Sequence, residues 1–150
     1  MGKIVPLLSA SSLEFDCGDE QLNRWFSTKA IQSEAAGFSR NYVMLDGPNI
    51  VGFYSLSAAA VDIEPSEFGA KGAPKPTPAL LLGRIAVATQ YQSLGVGKRL
   101  MVDAIARSKA IAKRVGATVL LVHPRPDVRG YFTSNGFLPF EGSDAAFLTL

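Results

Sequence analysis

The chain carries 150 residues, 47% hydrophobic and 19% charged, proportions that fit one soluble globular domain with a two-layer core and exclude a disordered or fibrous chain. A net charge of +2 and a pI near 8.8 permit an anionic partner without demanding one. The single cysteine, Cys17, leaves no internal disulfide framework and points to a reducing compartment; with no N-terminal signal pattern and no apolar span of about 18 residues, the expected location is the cytoplasm, away from any membrane.

Lys3 to Leu8 reads as an opening strand, kept to a sheet edge by Pro6. Asp16 or Asp19 is placed to cap a helix from about Glu20 to Glu34, with Leu22, Trp25, Phe26 and Ala30 on one face and Gly37 at its end. Trp25 on that face reads first as core and second as a stacking platform. Arg40 to Leu45 and Ile50 to Ala60 form two strands joined by Asp46-Gly47-Pro48-Asn49. Apolar residues on both faces of the second strand put it in the middle of a sheet. Asp62 to Pro78, with Pro65, Pro74, Pro76 and Pro78, resists regular structure. It reads equally as a loop bringing Lys71 and Lys75 to a substrate cleft or as a plain surface connection.

Leu80 to Val87 is an apolar strand. It meets a polar turn, Thr89 to Ser93, then Gly95 and Gly97 and a helix-period segment. Glycines let backbone amides approach a bound group closely, and the first turn of a helix offers N–H groups and a positive dipole end, so this order seats an anion. Leu100 stands where a dinucleotide loop needs its third glycine, and Gln92 and Arg99 break the nucleoside-triphosphatase pattern. What is left, Gln92-x-x-Gly95-x-Gly97, resembles the Q/R-x-x-G-x-G/A pyrophosphate turn of the GNAT N-acetyltransferases, whose ligand is acetyl-coenzyme A; the alternative is a pair of glycines serving only the turn.

The following helix puts Met101, Ala104, Ile105, Ile111, Ala112 and Val115 near one face and Arg99, Asp103, Arg107 and Arg114 near the other, with Gly116 as its stop. Ala117 to Val122 has the unbroken apolar run of a buried parallel strand. Pro124-Arg125-Pro126 ends it, Asp127 is placed to cap a short helix to about Asn135, and Gly136 closes that helix before a strand from Phe137. Phe147 to Leu150 suits a last strand.

Taken together, Phe15-Asp16-Cys17-Gly18, Leu22-Asn23-Arg24-Trp25, Gly52-Phe53-Tyr54-Ser55-Leu56, Gly83-Arg84-Ile85-Ala86-Val87, the Gln92 turn and Asn135-Gly136-Phe137 resemble the GNAT toxins of bacterial toxin–antitoxin pairs, the TacT and AtaT kind. The resemblance spans nearly the whole chain and implies a single α/β (α+β) GNAT domain over residues 1–150. Its central mixed, mostly antiparallel sheet is flanked by helices, and a splayed strand pair binds acetyl-coenzyme A. It implies acetyl transfer to the α-amine of an aminoacyl-tRNA. Amides near Ile85, Ala86 and Val87 would serve the thioester and pantetheine. Gln92, Ser93, Leu94, Gly95, Val96, Gly97, Lys98 and Arg99 would hold the pyrophosphate. It also implies a homodimer and a small ribbon-helix-helix antitoxin. No metal-ligand set is evident.

One position departs from the pattern. The toxins carry a general-acid tyrosine four residues before the glycine of Gly-Phe; here that position is Phe132, with Tyr131 as its neighbour. Adjacent helix residues point about 100° apart, so Tyr131 is no simple substitute. Three explanations stand open: Phe132 as a silencing replacement, Tyr131 acting after a local register shift, or a natural coenzyme binder with weak activity. For the acceptor, Arg40, Arg84, Lys98 and Arg99 are candidate contacts, with Arg24, Lys29, Arg107, Lys109, Lys113 and Arg114 as further cations, a solvated charged face being the equal alternative for the set; Arg84 reads either as a contact to the acceptor or as the partner of an acid. Cys17 reads as a small buried thiol and His123 as a base or a structural hydrogen-bonding group. A GNAT enzyme acting on a small amine or protein N-terminus, and a lapsed coenzyme-binding module, are the competing functions.

Overall fold

The structure, a computed structural model, describes residues 2–62 and 72–150. Its strands are β1 (Ile4–Pro6), β2 (Arg40–Asp46), β3 (Asn49–Val61), β4 (Thr77–Val87), β5 (Val119–Val122), β6 (Leu138–Pro139) and β7 (Ala146–Thr149). Its helices are α1 (Glu20–Thr28), α2 (Ala30–Ala36), α3 (Val96–Val115) and α4 (Arg129–Ser134). The strands hydrogen-bond in the order β1-β2-β3-β4-β5-β7-β6. β4 and β5 run parallel, and the β1–β2, β2–β3, β5–β7 and β6–β7 pairs run antiparallel. The sheet is thus mixed and mostly antiparallel, as expected. The chain forms two compact units, Met1–Ser57 with Gly83–Ala104, and Ala58–Leu82 with Ile105–Leu150.

In the first unit, β1 is an edge strand of three residues, shorter than Lys3 to Leu8 because Leu7–Ser9 coil into a 3-10 turn. The expected helix from Glu20 to Glu34 is two helices. Thr28 Oγ1 and Ser27 Oγ both donate to the Arg24 carbonyl, at 2.6 and 3.3 Å, and such local bonds compete with the helical ladder and end it. The apolar stripe runs across the break, which is why its period looks continuous: Leu22, Trp25, Phe26 and Ala30 all pack on one cluster with Leu7, Val43 and Phe53. Phe26 and Phe53 are each fully buried, worth about 1.5–3 kcal/mol apiece relative to exposure. Asp19, rather than Asp16, caps α1 through the Gln21 and Leu22 amides, at 3.0 and 3.2 Å. Gly37, at φ 81°, closes α2.

β3 is buried along Ile50–Leu56, as a central strand should be. Gly52 makes that possible on the α3 side: a Cβ there would stand 2.6 Å from Leu100 Cδ1 and 3.1 Å from the Ala86 carbonyl. Beside it Tyr54, fully buried, donates to Asp103 Oδ2 at 2.5 Å. Asp103 therefore serves this contact and does not belong to a purely solvated face of the helix.

In the second unit, Ala79–Leu81 of β4 pair with Val119–Leu121 of β5, and Val61, Val119, Phe140, Ala145 and Phe147 build the core. β4 starts at Thr77 and so takes in Pro78, expected in the loop; Pro78 acts there as an acceptor, its carbonyl receiving the Thr118 N–H at 3.1 Å. Pro65 and Lys71 of that loop lie outside the described residues. Val115 is 71% exposed, a departure from its expected place on the buried face, because it is the last residue of α3. Asp127 caps no helix: it sits inside a 3-10 turn, Pro126–Val128, with Oδ1 3.9 Å from Arg125 Nε. α4 starts after Val128 without a side-chain cap, and Gly136, at φ 96°, follows it.

Candidate active site

The glycine turn, with the end of β4 and the start of α3, lies in the first unit. The Ala88 N–H bonds to the Val51 carbonyl at 2.9 Å, and Thr89–Tyr91 form a 3-10 turn. The backbone then swings left-handed at Ser93 (φ 65°) and Gly95 (φ 85°) before α3 starts at Val96. Ser93 is the one non-glycine with positive φ among the described residues. Left-handed residues at a helix entrance turn successive N–H groups toward one point and form an anion-binding nest. A Cβ at Gly95 would meet nothing within 4 Å, so the approach over that amide is open. Gly97 is not left-handed and lies in the first helical turn. Val96, buried, anchors the helix start, while Leu94 is 60% exposed.

Gln92 does not aim its amide nitrogen at a ligand. Nε2 donates to the Val87 carbonyl at 3.0 Å and to the Cys17 carbonyl at 3.1 Å, which uses both of its hydrogens. The residue locks the end of β4 to the segment before α1. Thr89 N–H reinforces the lock by donating to the Asp16 carbonyl at 2.9 Å, and Tyr91 Oη, donating to Asp46 Oδ2 at 2.9 Å, ties the turn separately to the end of β2. The Asp16–Asn23 segment is itself braced. Asp16 Oδ1 accepts from Gly18 N and Asn23 Nδ2, both at 2.8 Å, and Asn23 Oδ1 accepts from Cys17 N at 2.9 Å. Those bonds hold the Asp16 carboxyl below the usual aspartate range, the Gly18 amide first and Asn23 second. The Phe-Asp-Cys-Gly sequence marks a family by eye; in the structure it is a clamp on the glycine turn, a role that spacing alone does not reveal.

Along β4, Ile85 and Val87 are half-buried and Ala86 is buried in the Phe53 cluster. Arg84 precedes them, its Cζ 3.8 Å from the centre of the Trp25 ring. That ring lies nearly parallel to Phe53, at 11° and 6.2 Å between centroids. Trp25 is thus core on one side and platform on the other. Burial lowers the Arg84 pKa with no acidic neighbour contributing, yet a guanidinium keeps its proton at neutral pH.

The other cations are placed differently. Arg99 Nη2 donates to the Gly2 carbonyl at 3.0 Å and Nη1 lies 3.8 Å from Met44 Sδ, so its side chain reaches the β1–β2 edge. Lys98 is exposed in the first turn of α3. Arg40 pairs with Glu34 at 3.0 Å and ties α2 to β2. A cleft of about 910 Å³ opens between the clamp and the turn, lined by Glu14, Asp16, Glu20, Arg24, Thr89 and Tyr91 among others; its three carboxylates suit a cation better than a phosphate.

In the second unit, α4 carries the two candidate rings. Phe132 is 7% exposed and meets Phe137 edge-on at 5.6 Å. Tyr131 is half-buried and stands at 75° to the Phe132 ring, and burial pushes its hydroxyl pKa up. Phe132 therefore contributes packing and no proton. His123 is exposed and makes no hydrogen bond among the described residues, against the expected structural role. Cys17 is half-buried rather than fully buried, and burial raises its thiol pKa, which makes a poor nucleophile.

Comparison with known proteins places this architecture. The profile of the Acetyltransferase (GNAT) family matches residues 7–137. A tRNA-acetylating toxin of Mycobacterium tuberculosis (strain ATCC 25618 / H37Rv) is 32% identical over 114 residues, 75% of this chain and 69% of that protein. AtaT complexed with acetyl-methionyl-tRNAfMet superposes with a TM-score of 0.87 at 26% identity, over 98% of this chain and 94% of that one. A tyrosine-to-phenylalanine variant of AtaT, bound to the C-terminus of the antitoxin AtaR and acetyl-CoA, gives 0.81 at 26% identity over 98% and 92%. Strand order, glycine turn and family profile agree: the chain belongs to the GNAT acetyltransferase family.

Proposed function

We propose that this protein is an acetyl-coenzyme A-dependent N-acetyltransferase toxin that acetylates the α-amine of aminoacyl-tRNA and so blocks translation. The single observation that carries the coenzyme half is the left-handed Ser93–Gly95 nest at the start of α3, braced from Cys17 through Gln92. The acceptor half rests on the likeness to the tRNA-acetylating toxin and to AtaT with its acetylated tRNA.

The nest fits a diphosphate because it offers N–H groups at a helix entrance over an open glycine. Leu94 to Lys98 would hold that group through their amides, the Arg99 N–H being already donated to the Gly95 carbonyl at 3.1 Å, against its expected place in the set, and Ile85 to Val87 would align the pantetheine and steady the carbonyl oxygen as negative charge builds on it. Acetyl-coenzyme A, when bound, supplies the activated acyl carbon. The acceptor amine attacks in its neutral form, and the departing sulfur needs a proton. Phe132 has none to give, and Tyr131, whose raised pKa keeps it protonated at neutral pH, is the phenol on the same helix. We read the chain as binding coenzyme well and turning over slowly, Phe132 occupying the place of the expected acid. The likeness to AtaT bound to tRNA and to the antitoxin AtaR supports aminoacyl-tRNA and an antitoxin as partners; a second copy of the chain, the ribbon-helix-helix class of the antitoxin and a cytoplasmic location are our proposals from the sequence resemblance. No described helix is long and apolar enough to cross a membrane.

The test is transfer of labelled acetyl from coenzyme A to a pool of charged tRNA. Label on the aminoacyl group, slow with this protein and fast with Phe132→Tyr, supports the reading. Acetylation of small amines or peptides without tRNA supports the runner-up enzyme. Coenzyme binding with no transfer by either form supports a lapsed binding module.

A further inference from the structure

We propose that Arg84, propped on Trp25, is a phosphate-binding residue for the single-stranded 3′ end of the acceptor tRNA. The inference rests on the aminoacyl-tRNA reading above and adds to it a named contact and the part of the acceptor it takes.

Three layers stack in the first unit: Phe53, then Trp25 at 11° to it, then the Arg84 guanidinium 3.8 Å from the indole centre. The arrangement fixes a cation in place. The indole face supports the charge, and the Phe53 cluster keeps the indole from turning away. What the arrangement lacks is an anion. Among the described residues Arg84 forms no ion pair, whereas Arg40 and Arg129 have Glu34 and Asp144 at 3.0 and 2.8 Å. A partly desolvated guanidinium, rigidly held and without a carboxylate, is built to receive one from outside; its planar donor fork matches phosphate oxygens in two-point geometry.

Position in the strand narrows the ligand. Arg84 immediately precedes Ile85, Ala86 and Val87, and a strand rises about 3.3 Å per residue, so the guanidinium stem starts within about 10 Å of every amide in that set. An amine that reaches a thioester held on those amides brings with it the phosphodiesters nearest to the aminoacyl ester. Those belong to the unpaired end of the tRNA, not to its duplex arms. Arg40 is tied to the α2–β2 junction and Arg99 to the β1–β2 edge, so neither duplicates this placement.

The experiment measures binding of fluorescent, deacylated tRNA by anisotropy, with the tRNA either intact or trimmed of its single-stranded 3′ nucleotides, over about 50 to 200 mM salt. It needs no turnover. Arg84→Gln is expected to weaken binding of intact tRNA about 10-fold and to lower the salt slope by about 0.7, the value for one phosphate on a single strand. On trimmed tRNA the variant and the unaltered protein should bind alike. Equal binding of intact tRNA by both would overturn the inference and leave Arg84 a packing residue. An equal loss on intact and trimmed tRNA would overturn it by placing the contact elsewhere. Should Arg84→Gln fail to fold, Arg84→Lys carries the test: it keeps the charge and the slope but loses affinity for intact tRNA only, and a loss on both would sink the idea. Failure of the unaltered protein to bind any tRNA would remove the aminoacyl-tRNA reading and this inference together.

Discussion

The glycine turn of the first unit, proposed to seat a diphosphate, and helix α4 of the second, proposed to hold the place of the acid, are built in different ways. The turn is backbone chemistry held by polar cross-links: Gln92 to two carbonyls, Thr89 to Asp16, Tyr91 to Asp46. α4 holds its two rings by packing, Phe132 against Phe137 and Tyr131 against Phe132, and has no side-chain cap. Binding a diphosphate needs many amides, each modest, so the turn tolerates change at any one side chain. Supplying a proton needs one oxygen, so α4 can gain or lose its chemistry in a single substitution. That asymmetry predicts where the largest effects fall.

The largest is at Phe132. Phe132→Tyr should raise turnover on charged tRNA by about 100- to 10,000-fold, the usual worth of general acid catalysis, with acetyl-coenzyme A affinity unchanged. Calorimetry and steady-state kinetics on one preparation separate the two; an unchanged turnover number would mean α4 donates through Tyr131 or not at all, and Tyr131→Phe then decides between those. Next is Gly52. A methyl there meets Leu100 at 2.6 Å and the Ala86 carbonyl at 3.1 Å, and such overpacking costs about 1–3 kcal/mol. Gly52→Ala should therefore lower the melting temperature by roughly 2–10 °C, and it should reach the turn as well, since Leu100 and Val96 belong to the helix the turn feeds.

How much of this was readable beforehand differs between the same two regions. The glycine turn was legible because backbone conformation is written in residue type: Gly95 and the strand–glycine–helix order announce a left-handed entrance to α3 whatever surrounds them. Phe132 was legible as a missing hydroxyl, though only against a family pattern. The α1–α2 break was hidden, because Leu22, Trp25, Phe26 and Ala30 keep one stripe across it and the Thr28 hydroxyl that ends the first helix carries no periodic signal. The clamp was hidden too. Gln92 and Cys17 stand 75 positions apart, the Arg84–Trp25 stack also joins residues far apart in sequence, and no local rule couples residues at such separations. Asp127 shows the converse, a residue type with a good capping record placed where the chain makes a 3-10 turn instead.

Two substitutions sharpen the claim that the turn is distributed. At Gly95 the space is open but φ is 85°, so the cost of a side chain is conformational: Gly95→Val should lose about 1–2 kcal/mol and weaken acetyl-coenzyme A in proportion, read by calorimetry. Asn23→Ala removes the bonds to Asp16 and Cys17 and leaves the nest itself untouched. It should weaken the coenzyme by about 3- to 10-fold through a loosened clamp. If Asn23→Ala bound the coenzyme as well as the unaltered protein while melting earlier, the clamp would be a matter of stability alone.

The smallest effect is a pH signature that α4 should not show. Amides of Gly18 and Asn23 lower the Asp16 pKa beneath its unfolded value, which is near 3.9. A group depressed on folding contributes stability that is complete above the unfolded value and is lost as pH falls through the folded one. Melting curves of the unaltered protein and Asp16→Ala should therefore differ most near neutrality and converge below about pH 4. Because Asp16 is exposed, the gap should be small and largely independent of salt, since hydrogen bonds rather than distant charges set it. A gap that widened on acidification would mean the carboxyl acts protonated, and the clamp would then need a different donor–acceptor assignment at Asn23.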